Sequence, residues 1–189
     1  DHRRAWSDRG HKIELCGFGL AIAGAAATVA LQRWNPSEVI LIGIAGAFSK
    51  DLPLGCAIEF GRVSCFGIGV GTGDAFISAG EMNWLHWGGS PPIGDSILLS
   101  SDPECDAELL SVAAASNDAD DAKRRMKKHP SAIAEDMEGF SVAAACRLAG
   151  KPIRIVRGIS NRVGDRDHRS WEIDRSLDAA MTHVLESTN

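Results

Sequence analysis

The fold of this chain is decided by the stretch Ile153-Arg-Ile-Val-Arg-Gly-Ile-Ser-Asn-Arg-Val-Gly-Asp-Arg-Asp167. It begins as an apolar, β-branched run and changes abruptly into polar, charged and glycine residues. An apolar run without alternation is typical of a strand that is covered on both faces of a sheet. Polar side chains after such a strand indicate a binding site, because ligands of α/β proteins bind beyond the carboxyl ends of the strands.

A second polar cluster, Ala134-Glu-Asp-Met-Glu-Gly-Phe140, stands shortly before this stretch. It follows a short apolar strand predicted at 132–135 and precedes a helix predicted at Gly139–Leu148, which Gly150 and Pro152 end. We therefore expect two strand ends to bring acids and amides together.

The rest of the chain alternates between strand and helix patterns. Lys12-Ile-Glu-Leu-Cys-Gly-Phe-Gly19 predicts a strand that ends in a glycine turn, and the alanine-rich segment 20–33 predicts the helix that follows. The glycine-rich segment 57–101 predicts strands and long loops. Further strands are predicted at 38–43 and 109–115, and further helices at 118–128 and 171–185. This alternation predicts an α/β fold around a mostly parallel or mixed sheet.

Composition limits the possible functions. A chain of 189 residues with 44% hydrophobic content can bury one good-sized core, so a single domain spanning 1–189 is expected. A formal net charge of -5 leaves no basic stripe for a series of phosphates, which argues against a nucleic-acid partner. No apolar run reaches the roughly 18 residues that span a bilayer, and the N-terminal segment lacks the apolar core of a signal peptide. We therefore expect a cytoplasmic protein with no membrane partner.

The five cysteines and six histidines show no spacing typical of a metal site, since neither a C-x-x-C pair nor an H-E-x-x-H pattern occurs. The cysteines are odd in number and lie mostly in apolar runs, which is typical of buried, reduced thiols. We expect neither a metal nor an organic cofactor.

Structural interpretations compete with functional ones at the two strand ends. Asp136 or Glu138 could cap the helix that follows, because a carboxylate near a helix N-terminus meets the positive end of the helix dipole. Arg157 needs a carboxylate partner in an apolar strand whether or not that carboxylate does chemistry. Glu138 is the expected partner.

Three motifs together resemble the nucleoside phosphorylase and nucleosidase superfamily: Glu135-Asp-Met-Glu-Gly-Phe-Ser-Val-Ala143, Val156-Arg-Gly-Ile-Ser-Asn161 and Ile42-Gly-Ile-Ala-Gly-Ala-Phe48. The extension Ser160-Asn-Arg-Val-Gly-Asp-Arg-Asp167, followed by Trp171, is most similar to the futalosine hydrolases, a branch of that superfamily. The resemblance covers roughly residues 12–185. It implies a three-layer αβα fold with a central mixed β-sheet.

The resemblance implies that water cleaves the N-glycosidic bond of a purine nucleoside through a ribosyl oxocarbenium-like state. Glu138 would accept hydrogen bonds from the ribose 2′- and 3′-hydroxyls, Met137 would pack against the sugar, and Arg157 would orient Glu138 or the attacking water. The implied substrate-binding set also includes Ser160, next to Asn161, and the segment Ile44, Ala45 and Gly46.

Asn161 indicates which base is bound. In adenine-directed nucleosidases of the superfamily the matching residue is an aspartate, which donates a proton toward N7 and accepts from the 6-amino group. An amide can instead donate to the O6 of a 6-oxopurine while its oxygen accepts from protonated N7. Opposite a 6-amino group it sets donor against donor, and an unmade buried hydrogen bond costs about 1–3 kcal/mol. Hypoxanthine or guanine is therefore favoured over adenine, unless Asn161 only caps the turn after the strand.

Asp165 and Asp167 are close enough in sequence to Asn161 to enter the same cleft. Asp165 is the candidate for positioning Asn161 or the base. The alternative is that both aspartates pair with the arginines of their own loop.

One departure from the superfamily pattern lies at the N-terminus. Family members begin with an apolar strand, followed shortly by an acidic residue that activates water, and nothing before Lys12 matches it. We therefore expect residues 1–189 to lack this strand, either because the polypeptide is trimmed or because the water-activating group is absent.

Other functions stay open at this point. An adenine-directed nucleosidase, a phosphorylase that uses phosphate in place of water, and a nucleoside-binding relative without activity share these motifs. The resemblance also implies a homo-oligomer, for which Trp84, Trp87 and the pair Pro91-Pro92 are candidate interface residues.

Overall fold

The computed structural model describes Trp6, residues 10–100 and residues 105–187. The helices of this part are α1 (Gly19–Trp34), α2 (Ala119–Lys128), α3 (Gly139–Leu148) and α4 (Ile173–Ser187). The strands are β1 (Val39–Ala47), β2 (Ala57–Phe60), β3 (Arg62–Phe66), β4 (Gly69–Val70), β5 (Ile77–Ser78), β6 (Ser96–Leu98), β7 (Glu108–Val112), β8 (Ala132–Asp136) and β9 (Ile153–Arg162).

Seven of these strands form one mixed sheet in the order β2-β9-β1-β8-β7-β3-β6, while β4 and β5 form a separate ribbon. Neighbours β9 and β1 are parallel, as are β8, β7 and β3, whereas the edge strands β2 and β6 run antiparallel to their neighbours. Strands β1 and β8 pair antiparallel only near their carboxyl ends, where Gly46 faces Glu135 and Ala47 faces Ala134. The segment that leaves β8 therefore runs alongside the middle of β1 and approaches β9.

Helices cover both faces of this sheet. In β9, Ile155 and Ile159 pack into the core to which α1 and α3 contribute, whereas Val156 packs against Ala180 and Val184 of α4. Because successive side chains of a strand point to opposite faces, α4 lies on the face opposite to α1 and α3. This arrangement confirms the three-layer αβα fold with a central mixed sheet.

The predicted helices form close to their expected bounds, for reasons visible at their ends. Helix α1 stops where Asn35 adopts a left-handed conformation with φ 42°, which is typical of a helix C-terminus. Helix α2 is capped by Asp118, the residue before it, whose side chain accepts the backbone N–H groups of Asp120 and Asp121 at 3.0 and 2.9 Å. The described residues 57–100 form short strands and long loops, as predicted, together with two short 3₁₀ turns.

The strand predicted over 12–19 is wrong. Residues 11–17 have no regular structure, and α1 begins at Gly19. The large apolar side chains of residues 11–17 are exposed to solvent, with Leu15 80% exposed and Ile13 42% exposed. A strand is stabilised by the ladder it forms with a neighbour, and among the described residues this segment pairs with none.

Other predictions were less complete or lie outside the described residues. Strand β1 extends to Ala47, four residues past the predicted end at 43, whereas β7 stops at Val112. No strand was expected before Lys12 from the sequence, and most of that segment lies outside the described residues. The single-domain organisation of 1–189 stays a prediction. Within the described ranges, no helix combines the length and apolarity that crossing a bilayer requires.

Candidate active site

Arg157 lies at the centre of the candidate site. Its side chain is 3% exposed, and it pairs in the β1–β9 ladder with Gly43. A Cβ atom at Gly43 would lie 2.0 Å from Nη1 of Arg157. The glycine therefore leaves the space that the guanidinium group occupies.

Two carboxylates reach this guanidinium group from the segment that leaves β8. Nη2 of Arg157 donates a short hydrogen bond to Oδ2 of Asp136 and lies 3.6 Å from Oε2 of Glu138. The sequence predicted Glu138 as the partner of Arg157, and the structure confirms this ion pair and adds Asp136 as a second, nearer carboxylate. The Asp136 side chain is 0% exposed and that of Glu138 is 15% exposed, so Asp136 shares the dry surroundings in which a charge most needs a partner.

Asp136 also holds the beginning of α3. Its Oδ2 accepts the Gly139 N–H at 2.9 Å, and its Oδ1 accepts the Ser111 hydroxyl at 2.5 Å. The same hydroxyl oxygen accepts the Phe140 N–H at 2.8 Å. The capping interpretation is thus confirmed for Asp136, whereas the side chain of Glu138, at the N-cap position, makes no capping hydrogen bond to α3.

Glu138 instead connects the beginnings of two helices. Its Oε1 accepts the Gly19 N–H at 3.1 Å, at the first residue of α1, while its backbone precedes α3. Helix α1 has no acidic residue in its first turn and no side-chain cap, so Glu138 is the carboxylate that meets its positive end. This partly exposed carboxylate retains acceptor capacity toward a ligand.

Met137 lies between Asp136 and Glu138 in the chain, and the end of β1 follows Gly43. Met137 is partly buried and packs against a group that contains Leu110, Val112 and Ala132. The segment Ile44, Ala45 and Gly46 continues β1 beyond Gly43 and pairs with β9.

A β-bulge in β9 separates Arg157 from the second part of the site. Ala45 pairs with Ile159 but Gly46 pairs with Asn161, so Ser160 is the extra residue. Bulges change the direction in which the following side chains point. A Cβ atom at Gly46 would lie 3.3 Å from Nδ2 of Asn161, so the small residue expected near the ligand lies directly beside the amide.

The Asn161 amide is held in one orientation by its neighbours in the chain. Its Oδ1 accepts the Ser160 hydroxyl at 2.8 Å, and its Nδ2 donates to the Arg162 carbonyl at 2.8 Å. Both Ser160 and Asn161 are buried. These two bonds leave the amide one N–H and one oxygen lone pair for a ligand.

Asp165 makes its hydrogen bonds within its own loop. It accepts the Ser170 hydroxyl at 2.7 Å and the Asp167 N–H at 2.9 Å, and these bonds lower the pKa of Asp165. The carboxylate is therefore kept ionised, and these two hydrogen bonds go to its own loop and not to Asn161. Asp167 pairs with Arg169 at 2.8 Å, as the alternative interpretation expected. A role for Asp165 at the base stays a prediction.

The structure thus brings Arg157, Glu138 and Gly43 into one cluster and places Asn161 with Ser160 and Gly46 in another. The two clusters are four residues apart on β9, which is at most about 13 Å along an extended strand. Two residues that the sequence analysis did not assign to the site are Asp136, as a partner of Arg157, and Ser111. The signal for Asp136 was its place in the acidic cluster between the strand predicted at 132–135 and the helix that follows, where the sequence analysis considered it as a helix cap.

A metal centre finds no support in this part of the molecule. Among the described residues, no group of three or more histidine, cysteine, aspartate or glutamate side chains could hold a metal ion.

Comparisons with known proteins place this geometry in a family. The family model described as the phosphorylase superfamily matches residues 110–187, which include the last part of β7 and all of β8, α3 and β9. Futalosine hydrolase of Streptomyces coelicolor is 30% identical over 183 residues, covering 91% of this chain and 76% of that protein. The chain belongs to the futalosine hydrolase family. A second member, futalosine hydrolase of Acidothermus cellulolyticus, is 33% identical over 183 residues, covering 87% of this chain and 70% of that protein.

Solved structures agree on the fold of the family. Futalosine hydrolase of Helicobacter pylori superposes with a TM-score of 0.73 at 17% identity and covers 92% of this chain and 76% of that one. The 5′-methylthioadenosine/S-adenosylhomocysteine nucleosidase of Neisseria meningitidis, in complex with methylthio-immucillin-A, gives a TM-score of 0.73 at 17% identity, with 92% and 78% coverage. The sequence alignments to the two futalosine hydrolases cover 91% and 87% of this chain, whereas the superfamily model matches only residues 110–187.

Proposed function

We propose that this chain hydrolyses the N-glycosidic bond of a purine nucleoside, and that its substrate is futalosine, which yields dehypoxanthine futalosine and hypoxanthine in menaquinone biosynthesis. The observation that carries this proposal is the shared position of Asp136 and Glu138 on one buried guanidinium group, Arg157. Membership in the futalosine hydrolase family supports it.

The charge of this cluster suits the reaction. Arg157 contributes one positive charge and Asp136 and Glu138 contribute one negative charge each, so the cluster has one negative charge in excess. Cleavage of an N-glycosidic bond builds positive charge on the ribose, and fixed charges of opposite sign in a dry site stabilise such a transition state. Glu138, the more exposed of the two carboxylates, accepts hydrogen bonds from the ribose 2′- and 3′-hydroxyls in this proposal.

The Asn161 amide supports a 6-oxopurine base. Its remaining N–H can donate to O6 and its remaining lone pair can accept from protonated N7 of the leaving hypoxanthine. An adenine base would require the amide to flip. A flip would break both the bond from Ser160 and the bond to Arg162, in addition to any cost at the base.

The same charge count disfavours phosphate as the nucleophile. A phosphorylase must hold an anion near the sugar, which requires an excess of cations there. The contacts of Arg157 are two carboxylates, so its charge is already more than balanced. The presence of Arg157, Glu138 and Asn161 together also argues against a relative that binds nucleosides without cleaving them.

We further propose that the protein acts as a homo-oligomer. Large apolar side chains are exposed near the β4–β5 ribbon, among them Trp84 at 62% and Trp87 at 49%. Exposed aromatic side chains in such a group are typical of protein interfaces. The cytoplasmic location stays a prediction.

The test is release of free base from futalosine, aminofutalosine, inosine and methylthioadenosine, each with and without phosphate. We expect hypoxanthine release from futalosine at a rate that phosphate does not change. Preferred release of adenine would contradict the assignment of the base, and a strict requirement for phosphate would contradict hydrolysis. Nucleoside binding without base release, measured by calorimetry, would overturn the enzymatic proposal.

A further inference from the structure

The two carboxylates that share Arg157 are held very differently. Asp136 is fully buried and accepts from three groups, the Ser111 hydroxyl, the Gly139 N–H and the Arg157 guanidinium. Glu138 is partly exposed, accepts one backbone N–H from Gly19, and stays 3.6 Å from Arg157. One carboxylate is thus fixed by its surroundings, and the other is free to accept hydrogen bonds from a ligand.

The different surroundings of the two carboxylates determine which of them Arg157 binds more closely. A guanidinium group in a dry site binds the carboxylate that offers the best geometry, and a bidentate pair uses both carboxylate oxygens. If Arg157 engaged Glu138 in that way, little acceptor capacity would remain for two ribose hydroxyls. The hydrogen bonds from Ser111 and Gly139 fix the Asp136 carboxylate in the position where it accepts the hydrogen bond from the Arg157 guanidinium group.

We propose that Asp136, held in place by Ser111, is a positioning residue that occupies Arg157 and so keeps Glu138 available for the ribose hydroxyls. This inference rests on the proposed function, because it assigns Glu138 to the ribose. It adds that two carboxylates two residues apart have different roles, since Asp136 binds Arg157 and Glu138 binds the ribose. Asp136 touches neither sugar nor base in this arrangement and acts through Arg157.

Loss of the Asp136 charge should redirect Arg157 to Glu138. Closing the 3.6 Å separation to a charge-assisted hydrogen bond of about 2.8 Å would move the two groups together by about 0.8 Å. A misplacement of about 1 Å can reduce turnover by about 100-fold. We expect Asp136→Asn to show a loss of that order.

The chain offers a closely matched control in Glu135, the residue before Asp136. Glu135 is also buried, pairs with a buried arginine, Arg125, at 2.7 Å, and accepts a serine hydroxyl from Ser116 at 2.7 Å. It precedes Asp136 in β8, so its side chain points to the opposite face of the sheet. Glu135→Gln therefore damages a similar buried network without touching Arg157.

The decisive readout is the preference for a ribonucleoside, measured as the ratio of kcat/KM for futalosine to that for its 2′-deoxy analogue. Loss of stability alone does not change this ratio, whereas loss of the grip of Glu138 on the 2′-hydroxyl does. We expect Glu138→Gln and Asp136→Asn each to lower the ratio by about tenfold or more, and Glu135→Gln to leave it within about twofold. Ser111→Ala, which keeps the Asp136 charge but removes its clamp, should lower the ratio by a smaller factor and serves if Asp136→Asn does not fold.

The outcomes separate the inference from the proposed function. If Glu138→Gln lowers the ratio but Asp136→Asn and Ser111→Ala behave like Glu135→Gln, the positioning role is wrong while the ribose assignment stands. If Glu138→Gln leaves the ratio unchanged, Glu138 does not hold the ribose, and the inference fails together with that part of the proposed function.

Discussion

Gly43 and Arg157 face each other across the β1–β9 ladder, and the arginine fits only because Gly43 has no side chain. An added Cβ atom would lie 2.0 Å from Nη1 and 3.2 Å from Cζ of Arg157. The first distance is far inside van der Waals contact, and the neighbouring guanidinium group is bound on its other side to Asp136. One methyl group at position 43 therefore acts on the centre of the candidate site.

We expect Gly43→Ala to displace the guanidinium group and to reduce turnover of futalosine by about 100-fold or more, because small displacements of positioned groups have effects of that size. Overpacking should also lower the free energy of unfolding by about 1–3 kcal/mol. Turnover is measured as hypoxanthine release, and stability by denaturant titration.

Gly88→Ala is the control for this substitution. A Cβ atom at Gly88 would meet nothing within 4 Å, so this variant should keep both activity and stability. An active Gly43→Ala enzyme would mean that Arg157 tolerates displacement and is not needed where the structure places it.

Glu138→Gln should reduce turnover by about two to three orders of magnitude, because the neutral amide cannot balance the positive charge that develops on the ribose. The fold should be unaffected. The glutamine oxygen can still accept the Gly19 N–H, and Arg157 keeps its closer partner Asp136. Thermal unfolding beside kcat measurement distinguishes the two effects, and near-normal turnover would remove Glu138 from the chemistry.

Asn161→Asp should shift the base preference from hypoxanthine toward adenine nucleosides. The ratio of kcat/KM for aminofutalosine to that for futalosine is expected to rise by about tenfold, within the range of a lost or gained buried hydrogen bond. Total activity should fall, since an ionised aspartate cannot donate to the Arg162 carbonyl as the Nδ2 group does.

Ser160→Ala is the companion variant for Asn161. It removes the hydroxyl that orients Oδ1 of Asn161, so the amide is free to flip. We expect weaker discrimination between the two bases without a reversal. If neither variant changes the ratio of kcat/KM for the two nucleosides, Asn161 does not contact the base and only caps the turn after β9.

The sequence predicted the main part of the fold because several strands are recognisable without their neighbours. Strand β9 is a long apolar run with a polar end, and α3 has a clear beginning and a clear stop. The segment 12–19 has the same kind of local pattern but formed no strand, since a strand also requires a partner along its edge. Local pattern alone does not contain that information.

Within the candidate site, the pair of Arg157 and Glu138 was predictable from the sequence, and the contact of Arg157 with Asp136 was not. Asp136 and Glu138 are both carboxylates, and the choice of Arg157 between them depends on the β1–β8 register and on the Ser111 hydroxyl, a residue 25 positions earlier in the chain. The orientation of Asn161 depends on a bulge at Ser160. Bulges and register arise from tertiary packing, which a single sequence does not display.

Cys16 provides a measure of the charges in the site that is independent of catalysis. Burial raises the pKa of the Cys16 thiol, the positive charge of Arg157 opposes this effect, and the negative charges of Glu138 and Asp136 add to it. The thiol is partly buried and stands three residues before Gly19, the backbone partner of Glu138. Its titration therefore reports on the same cluster.

Glu138→Gln should lower the pKa of Cys16, because it removes a negative charge that disfavours the thiolate. The thiolate is the reactive form, so the midpoint of the pH dependence of Cys16 alkylation should move to lower pH. Cys56 is the internal control. Burial also raises the pKa of its thiol, but the charge that acts on it is Arg162, so its midpoint should not move. Mass spectrometry of the two cysteine peptides measures both midpoints in one sample, and an unchanged Cys16 midpoint would show that Glu138 does not lie beside the thiol in solution.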